Sequence, residues 1–506
     1  MAIIETRFSI AFGDEIEFLS ADGSIYNSVG ILSESKIVVG YQDDSASKHS
    51  KVKIGTVSGT NVVFGSGVEF LSQSGLDNSS SIAILDESTF VVEYQDEGDS
   101  GHGTVKVGTV SGISVSFGSE IEYASAGRAA WPSIATLDST HFVIVYADWN
   151  DSRKGKARIG TVSGTTVTFG SASVFYSLNE ATTMSVASFD PSGFVVGYRK
   201  GNAGDLQGAT KIGSVSGTTI TFGSETEFTD AVGSTRDSIS VDIFDTDKFV
   251  VAYKDADDSD HGTVKIGNVS GTSISFGNES EFLSSNGIVE NVVKTLDSSH
   301  LIVAYTDGFD SNHGTVKIGT VTGTDCTFSN ESEFLSNDGS DYIALATINA
   351  NKLIVAYTDT SDSNHGTVRI GITDGNSIGN LYIFGSDPAT SGDLARPLDW
   401  LLRTPDYHPQ IIGTLDNATT VNIQLWNVTN GENTPISVAS SGCYQIGDTG
   451  RWAWSTSGLP AYTTNQRQYF YMMTADNSDT FTGQFFLELP ENTKWIHPRN
   501  QNEYLK

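Results

Sequence analysis

A recurring dipeptide constrains what this chain can fold into. Phe-Gly closes an alternating apolar and polar segment at Phe12, Phe64, Phe117, Phe169, Phe222 and Phe276, and Phe328-Ser329 stands in the seventh place. The intervals are 52, 53, 52, 53, 54 and 52 residues. One unit, from Ser81 to Tyr123, holds four strand-like runs: a (Ser81–Leu85), b (Phe90–Tyr94), c (Thr104–Val110) and d (Ser114–Phe117), the last passing a Gly-Ser kink into Ile121–Tyr123. Val, Ile, Phe, Tyr and Thr fill the runs, Gly, Ser and Asp bound them, and no window has helical spacing. A unit this small cannot bury its own apolar face, so its copies must stack. Seven four-stranded copies predict an all-β chain built on a seven-bladed β-propeller, with a β-solenoid as the alternative.

The ends of the array favour a ring. The seventh unit runs through Leu353–Tyr357 and Thr367–Gly371, then loses the pattern at Asp374-Gly375 without a run d. The N-terminus begins with a spare run d, Arg7–Gly13. The strand over 7–13 is therefore expected to complete the last blade, in its own chain or by exchange with a neighbouring copy. The propeller is assigned to residues 1–380.

Composition changes after that point. Residues 381–506 hold 8 of the 10 prolines and 5 of the 7 tryptophans, and only 7 of the 29 basic and 12 of the 61 acidic residues. A connector over 381–410 and a C-terminal β-sandwich over 411–506, immunoglobulin-like in class, fit the strand-like runs TVNIQLW, ISVAS, RWAWS, QYFYMMT and TFTGQFFLEL. That domain is expected to dock the chain to a larger particle or to other copies of itself.

The formal net charge is -32. Nucleic acids and anionic membranes attract basic surfaces, so neither is an expected partner. No stretch approaches the ~20 apolar residues of a membrane helix, and the opening MAIIETRFSIAFG lacks the pattern of a signal peptide. Cys326 and Cys443 are too few and too far apart for a disulfide framework or a cysteine-based zinc motif. Nucleophile-elbow, P-loop and H-E-x-x-H motifs are absent. The arginines Arg128, Arg153, Arg199 and Arg236 are scattered, unlike the cluster a sialidase-like propeller needs. The chain is thus expected not to be an enzyme, with a glycan-degrading propeller as the alternative.

Loop length distinguishes the two faces of the ring. The a–b and c–d turns are short, while the d–a and b–c connections are long and variable and share one face. Binding residues concentrate on such loops. Tyr26, Arg128, Trp131, Arg236 and Tyr342 fall in d–a connections, and Trp149 and Arg153 in a b–c connection. These seven are the candidate ligand or receptor contacts, because aromatic and arginine side chains stack on sugars and anchor interfaces. For each taken singly, packing against a neighbouring blade is the plainer reading.

The b–c connections also carry a regular polar motif: DEGDSGHG (Asp96–Gly103), DADDSDHG (Asp255–Gly262), DGFDSNHG (Asp307–Gly314) and DTSDSNHG (Asp359–Gly366). Asp96, Asp99, Asp255, Asp258, Asp307, Asp310, Asp359 and Asp362 are candidate Ca²⁺ ligands, since carboxylates suit hard cations. The plainer reading is that Asp and Ser close a tight turn onto backbone amides. His49, His102, His261, His313 and His365 occupy different blades and cannot meet at one metal. No other cofactor is expected.

Gly160–Ser171 (GTVSGTTVTFGS), His261–Asn278 (HGTVKIGNVSGTSISFGN) and Phe249–Asp255 (FVVAYKD) resemble repeats of marine bacteriophage virion-associated proteins. GDTGRWAWSTSGLP and YFYMMTADNSDTFTGQF are similar to a terminal β-domain of phage structural proteins. The resemblance implies a virion surface component assembled in a host cytoplasm: a tail fibre, tail spike or head decoration. Its partners would be other virion proteins and a host-surface glycan or protein, and it would act as a homo-oligomer. It carries no catalytic residues. A purely structural decoration protein that binds no host molecule is the alternative within the same class.

Overall fold

The computed structural model describes residues 10–373 apart from short segments at 21–22, 47, 73–79, 202–205, 230–234, 257, 285–286 and 337–338; beyond 373 it describes only the strands. Two compact units divide the chain, Phe8–Thr373 and the C-terminal part from Asp374.

Among the described residues the first unit repeats the antiparallel order a-b-c-d seven times, and the long strand Ile121–Thr136 joins the second and third copies into one nine-stranded sheet. In the second copy, strand a is Ser80–Asp86, b is Thr89–Asp96, c is His102–Ser111 and d is Ser114–Phe117. After the Gly-Ser kink the chain pairs again with strand c, so both halves of run d lie on the same neighbour. The a strands pack side by side, from Ser24–Ser33 in the first sheet to Ser340–Asn349 in the seventh, and the seventh packs on the first. The ring is closed in cis by the N-terminus. Ile10–Phe12 pairs antiparallel with Gly371–Thr373, and Ile16–Leu19 pairs with the start of the same strand. This is a β-propeller.

The repeat signature follows from how neighbouring sheets touch. Strand b carries a tyrosine in every unit: Tyr41, Tyr94, Tyr146, Tyr198, Tyr253, Tyr305 and Tyr357, none more than 3% exposed. Each packs against an aromatic ring on the outer segment of the preceding sheet, from Phe18–Tyr41 to Phe334–Tyr357, with centroids 5.0–5.3 Å apart. A cation on strand c then reaches the backbone carbonyl of that same aromatic residue. Lys211 donates to Phe175, Lys265 to Phe228, Lys317 to Phe282 and Arg369 to Phe334 at 2.6–2.7 Å, and Lys53, Lys106 and Arg158 repeat the contact. The long aliphatic stems cross apolar surface while the charged ends satisfy carbonyls at the seam.

The glycine of Phe-Gly has a steric reason. A Cβ on Gly170 would stand 2.5 Å from the Thr218 carbonyl oxygen and 2.6 Å from its Cβ, in the c–d turn of the next sheet. Gly118, Gly223 and Gly277 meet Thr165, Thr272 and Thr324 in the same way. The seventh sheet takes its d strand from the N-terminus and so has no c–d hairpin, which is why Ser329 is tolerated in the last copy.

The C-terminal unit contains two four-stranded antiparallel sheets. One joins Tyr382–Gly385, Pro409–Thr414, Arg451–Ser455 and Cys443–Gln445; the other joins Thr434–Ile436, Val421–Asn427, Gln466–Ala475 and Thr480–Glu488. Two boundaries differ from expectation. The propeller pattern ends at Thr373 rather than 380, and Tyr382–Gly385, placed in the connector by its composition, is a strand paired with Pro409–Thr414. Prolines obscured that strand: Pro409 occupies its partner's first residue, where no ladder donor is required. The rest of the connector lies outside the described residues.

Candidate functional site

The long-loop face differs from the sequence expectation in one respect. Four of the residues assigned to d–a loops lie in strands. Tyr26 is in Ser24–Ser33, Arg128 and Trp131 in Ile121–Thr136, and Tyr342 in Ser340–Asn349. Arg236 is within the strand Thr235–Asp245, but its side chain lies outside the described residues. The cause is a β-bulge at the start of strand a. Register slips between Ile25 and Ser28, Ala130 and Ser133, Thr182 and Ser185, and Asp341 and Ala344. The extra residues keep the strand going where a loop was expected.

The bulges hold large side chains in a strained backbone. Tyr26 (φ 53°), Trp131 (φ 48°), Thr183 (φ 46°) and Tyr342 (φ 51°) all adopt left-handed conformations, which bulky and β-branched residues rarely adopt. Strain of this kind costs about 1–3 kcal/mol per residue and gathers at functional sites.

Two groups of candidate residues result. Tyr26 and Tyr342, 316 positions apart, meet edge to face at 5.1 Å because ring closure sets the first and seventh sheets side by side. Arg128, Trp131, Trp149 and Arg153 meet at the junction of the second and third sheets. Ala129 pairs with Asp148, which puts Arg128 and Trp131 beside the turn Trp149–Asp151. Asp148 caps that turn by accepting from the Asn150 and Asp151 amides. Ser152 and Arg153 follow in left-handed conformation, both at φ 57°, and turn the arginine back over the indole.

In this second group the Trp131 and Trp149 rings stack with centroids 6.0 Å apart at 26°. The Arg153 guanidinium lies 3.8 Å from the Trp149 centroid and that of Arg128 lies 5.0 Å away. Glu180 pairs with Arg153, and Glu97 with Arg128 at 3.7 Å. Trp131 packs partly into the core, while Trp149 remains 37% exposed. The surface thus offers an indole edge flanked by two arginine–glutamate pairs, which can stack on an apolar face and both donate to and accept from hydroxyls. Glu97 and Glu180 were absent from the sequence reading. Only the fold brings them opposite the arginines, from a b–c turn and from the segment before an a strand.

The polar b–c motif divides into two roles. Asp307 accepts from the Phe309 and Asp310 amides, and Asp359 from the amides of Ser361 and Asp362 and the Ser361 hydroxyl. Both are buried, as are Asp96 and Asp255. At Asp307 and Asp359 this first aspartate closes the turn, as the plainer reading held. The second aspartate, Asp99, Asp258, Asp310 or Asp362, is exposed and faces the histidine that opens strand c.

Glu93 is a buried acid away from this face. Its side chain is fully enclosed, and the Tyr123 hydroxyl donates to Oε1 at 2.6 Å. Loss of solvation pushes its pKa up to about 8, partly offset by the Tyr123 bond. No water reaches it, so it is part of the core. Among the described residues no helix is long and apolar enough to cross a membrane.

No family model matches the chain, and no curated protein matches it. Among solved structures, the chain is similar to the BP39L lectin of Burkholderia pseudomallei at a TM-score of 0.52 and 9% identity, over 70% of this chain and 97% of the lectin. Sqt1 of Chaetomium thermophilum aligns at a TM-score of 0.44 and 11% identity, over 72% and 99%. A PL25 ulvan lyase aligns at 0.43 and 10% identity, over 70% and 95%. At these identities the likeness extends to the fold alone: the chain has the architecture of the β-propellers.

Proposed function

We propose that this chain is a non-enzymatic binding protein of a bacteriophage virion surface, whose long-loop face meets a host-surface glycan at Arg128, Trp131, Trp149 and Arg153. The observation that carries the reading is convergence. Four residues from two chain segments gather on one surface patch, three of them half-buried and Trp149 exposed, and three residues in left-handed backbone, Trp131, Ser152 and Arg153, hold them there. The chemistry suits a neutral, hydroxyl-rich sugar. Trp149 supplies an aromatic edge, the two arginine–glutamate pairs supply donors and acceptors, and a net charge of -32 repels polyanions. Sugar recognition on this scaffold has a precedent in the protein named as the BP39L lectin. The virion assignment rests on the sequence resemblance, and the C-terminal unit is assigned to particle attachment or self-association.

The test is adsorption of the purified, labelled chain to a panel of bacteria and to arrayed neutral glycans, beside Trp149→Ala and Arg153→Ala variants. Saturable binding that the variants lose supports the reading. Equal binding by variants and parent places the contact elsewhere. No binding to any host or glycan favours a purely structural decoration subunit, and release of reducing sugar from host polysaccharide favours the glycan-degrading alternative.

A further inference from the structure

Among the described residues, four blades carry the same three-residue constellation where the outer segment meets strand c. It comprises Asp99, His102 and Glu122; Asp258, His261 and Glu281; Asp310, His313 and Glu333; and Asp362, His365 and Glu17. The aspartate comes from the b–c turn, and the histidine is the first residue of strand c. The glutamate comes from the outer segment, which pairs with strand c two residues further on, at Thr104↔Glu122, Thr263↔Glu281, Thr315↔Glu333 and Thr367↔Glu17. A register shift beside each pairing brings the glutamate back toward the histidine.

The spacing inside each triad is the informative quantity. Nδ1 stands 3.4–3.5 Å from the aspartate oxygen and 3.4–3.8 Å from the glutamate oxygen in all four. Those separations exceed the ~2.7–3.2 Å of a hydrogen bond to nitrogen. They match two ligands sharing a tetrahedral cation, because bonds of about 2.0–2.1 Å place ligand atoms about 3.4 Å apart. In each triad Nδ1 is buried and makes no hydrogen bond.

The chain supplies its own controls. In the first blade His49 has Ala46 where the aspartate would stand, and there Nδ1 closes on Glu69 at 3.0 Å, an ordinary hydrogen bond. In the third blade Lys154 replaces the histidine, Val174 replaces the glutamate, and Lys154 pairs directly with Asp151 at 2.8 Å. The wide spacing occurs where all three members are present.

We propose that each of the four triads binds one divalent first-row transition cation of the zinc class, with Nδ1 and two carboxylate oxygens as ligands and water completing the shell. One imidazole with two carboxylates suits such a borderline ion. Ca²⁺ requires six to eight oxygens, and in two of the triads the inner aspartates that would have to help, Asp307 and Asp359, are turned onto backbone amides. Binding would tie the b–c turn to strand c and to the outer segment, stiffening the rim of four blades.

The test uses the full chain stripped with chelator and titrated with ZnCl₂ against a chromophoric competitor. Four zinc ions per chain are expected, three for His261→Ala, and none of that affinity for the variant with all four histidines replaced by alanine. X-ray absorption of the zinc-loaded parent should report about one nitrogen among oxygen ligands. Circular dichroism of the metal-free variants controls for folding, and Glu281→Gln, a milder change, should also lose one ion. Equal zinc uptake by parent and quadruple variant, no uptake by the parent, or displacement of the zinc by Ca²⁺ at equal concentration would each overturn the proposal.

Discussion

The Arg153 guanidinium lies 3.8 Å from the centre of the Trp149 ring, held by a left-handed backbone at Arg153 and by Glu180 on its far side. A planar cation fixed against an exposed indole forms a rigid contact element, and residues of this pair dominate interface energetics. Trp149→Ala is expected to weaken ligand or cell binding by about 2 kcal/mol or more, roughly thirtyfold. Arg153→Lys should restore little, because the ammonium lacks the flat fork. Quantitative adsorption isotherms check both, with unchanged thermal midpoints as the folding control.

The Phe-Gly signature gives a second expectation. Gly170→Ala places a methyl within 2.6 Å of Thr218 atoms across a blade seam, with a backbone carbonyl as the nearest obstacle. Overpacking of this kind costs about 1–3 kcal/mol. Ser329→Ala, at the matching place in the one copy without an opposing hairpin, meets no such clash and should cost only the bond its hydroxyl accepts from the Ile318 amide, about 0.5–1.5 kcal/mol. Chemical denaturation of the two variants beside the parent makes the comparison.

Ring closure predicts a large effect from a residue near the N-terminus. Ile10 is 8% exposed and packs into the core shared by the sixth and seventh sheets, beside Leu353 and Val355. Ile10→Ala should destabilise the propeller by about 2–4 kcal/mol, as a buried large-to-small change does. A midpoint equal to the parent's would mean that the first strand does not hold the last blade.

Glu93 sets a pH dependence. Its folded pKa of about 8 lies above the ordinary carboxylate value of 4.5. The folded chain therefore keeps a proton that the unfolded chain releases. The stabilisation is complete below about pH 4.5, is lost as pH rises toward 8, and changes no further above it. Glu93→Gln, neutral at every pH and able to accept from Tyr123, should make the stability profile shallower across that window, with burial of Glu290, also raised to about 8, carrying the remainder. Denaturation midpoints at several pH values would test this; parallel profiles for variant and parent would contradict it.

Much of the architecture was legible because it is local or periodic. The Phe-Gly spacing counts the units, period-two alternation marks strands a to d, and the missing last run with a spare first run announces closure at Ile10–Phe12. Loop length also chose the face on which Arg128, Trp131, Trp149 and Arg153 gather. The sequence alone could not reveal the bulges at Tyr26, Trp131 and Tyr342. Each depends on one residue of register against a neighbouring strand, and that register is set by packing across the sheet rather than by composition.

Partnership across the ring was hidden for the same reason. Glu122 is 20 positions from His102, and Tyr342 is 316 from Tyr26. The first pair is joined by the kinked return of the outer segment onto strand c, and the second by the last sheet packing on the first. The sequence by itself determined a repeating β-unit, its number of copies and a closing strand, because side-chain alternation and turn residues act over a few positions. Which side chains face one another was decided by the tertiary structure, because pairing register and ring closure place residues by their neighbours in space.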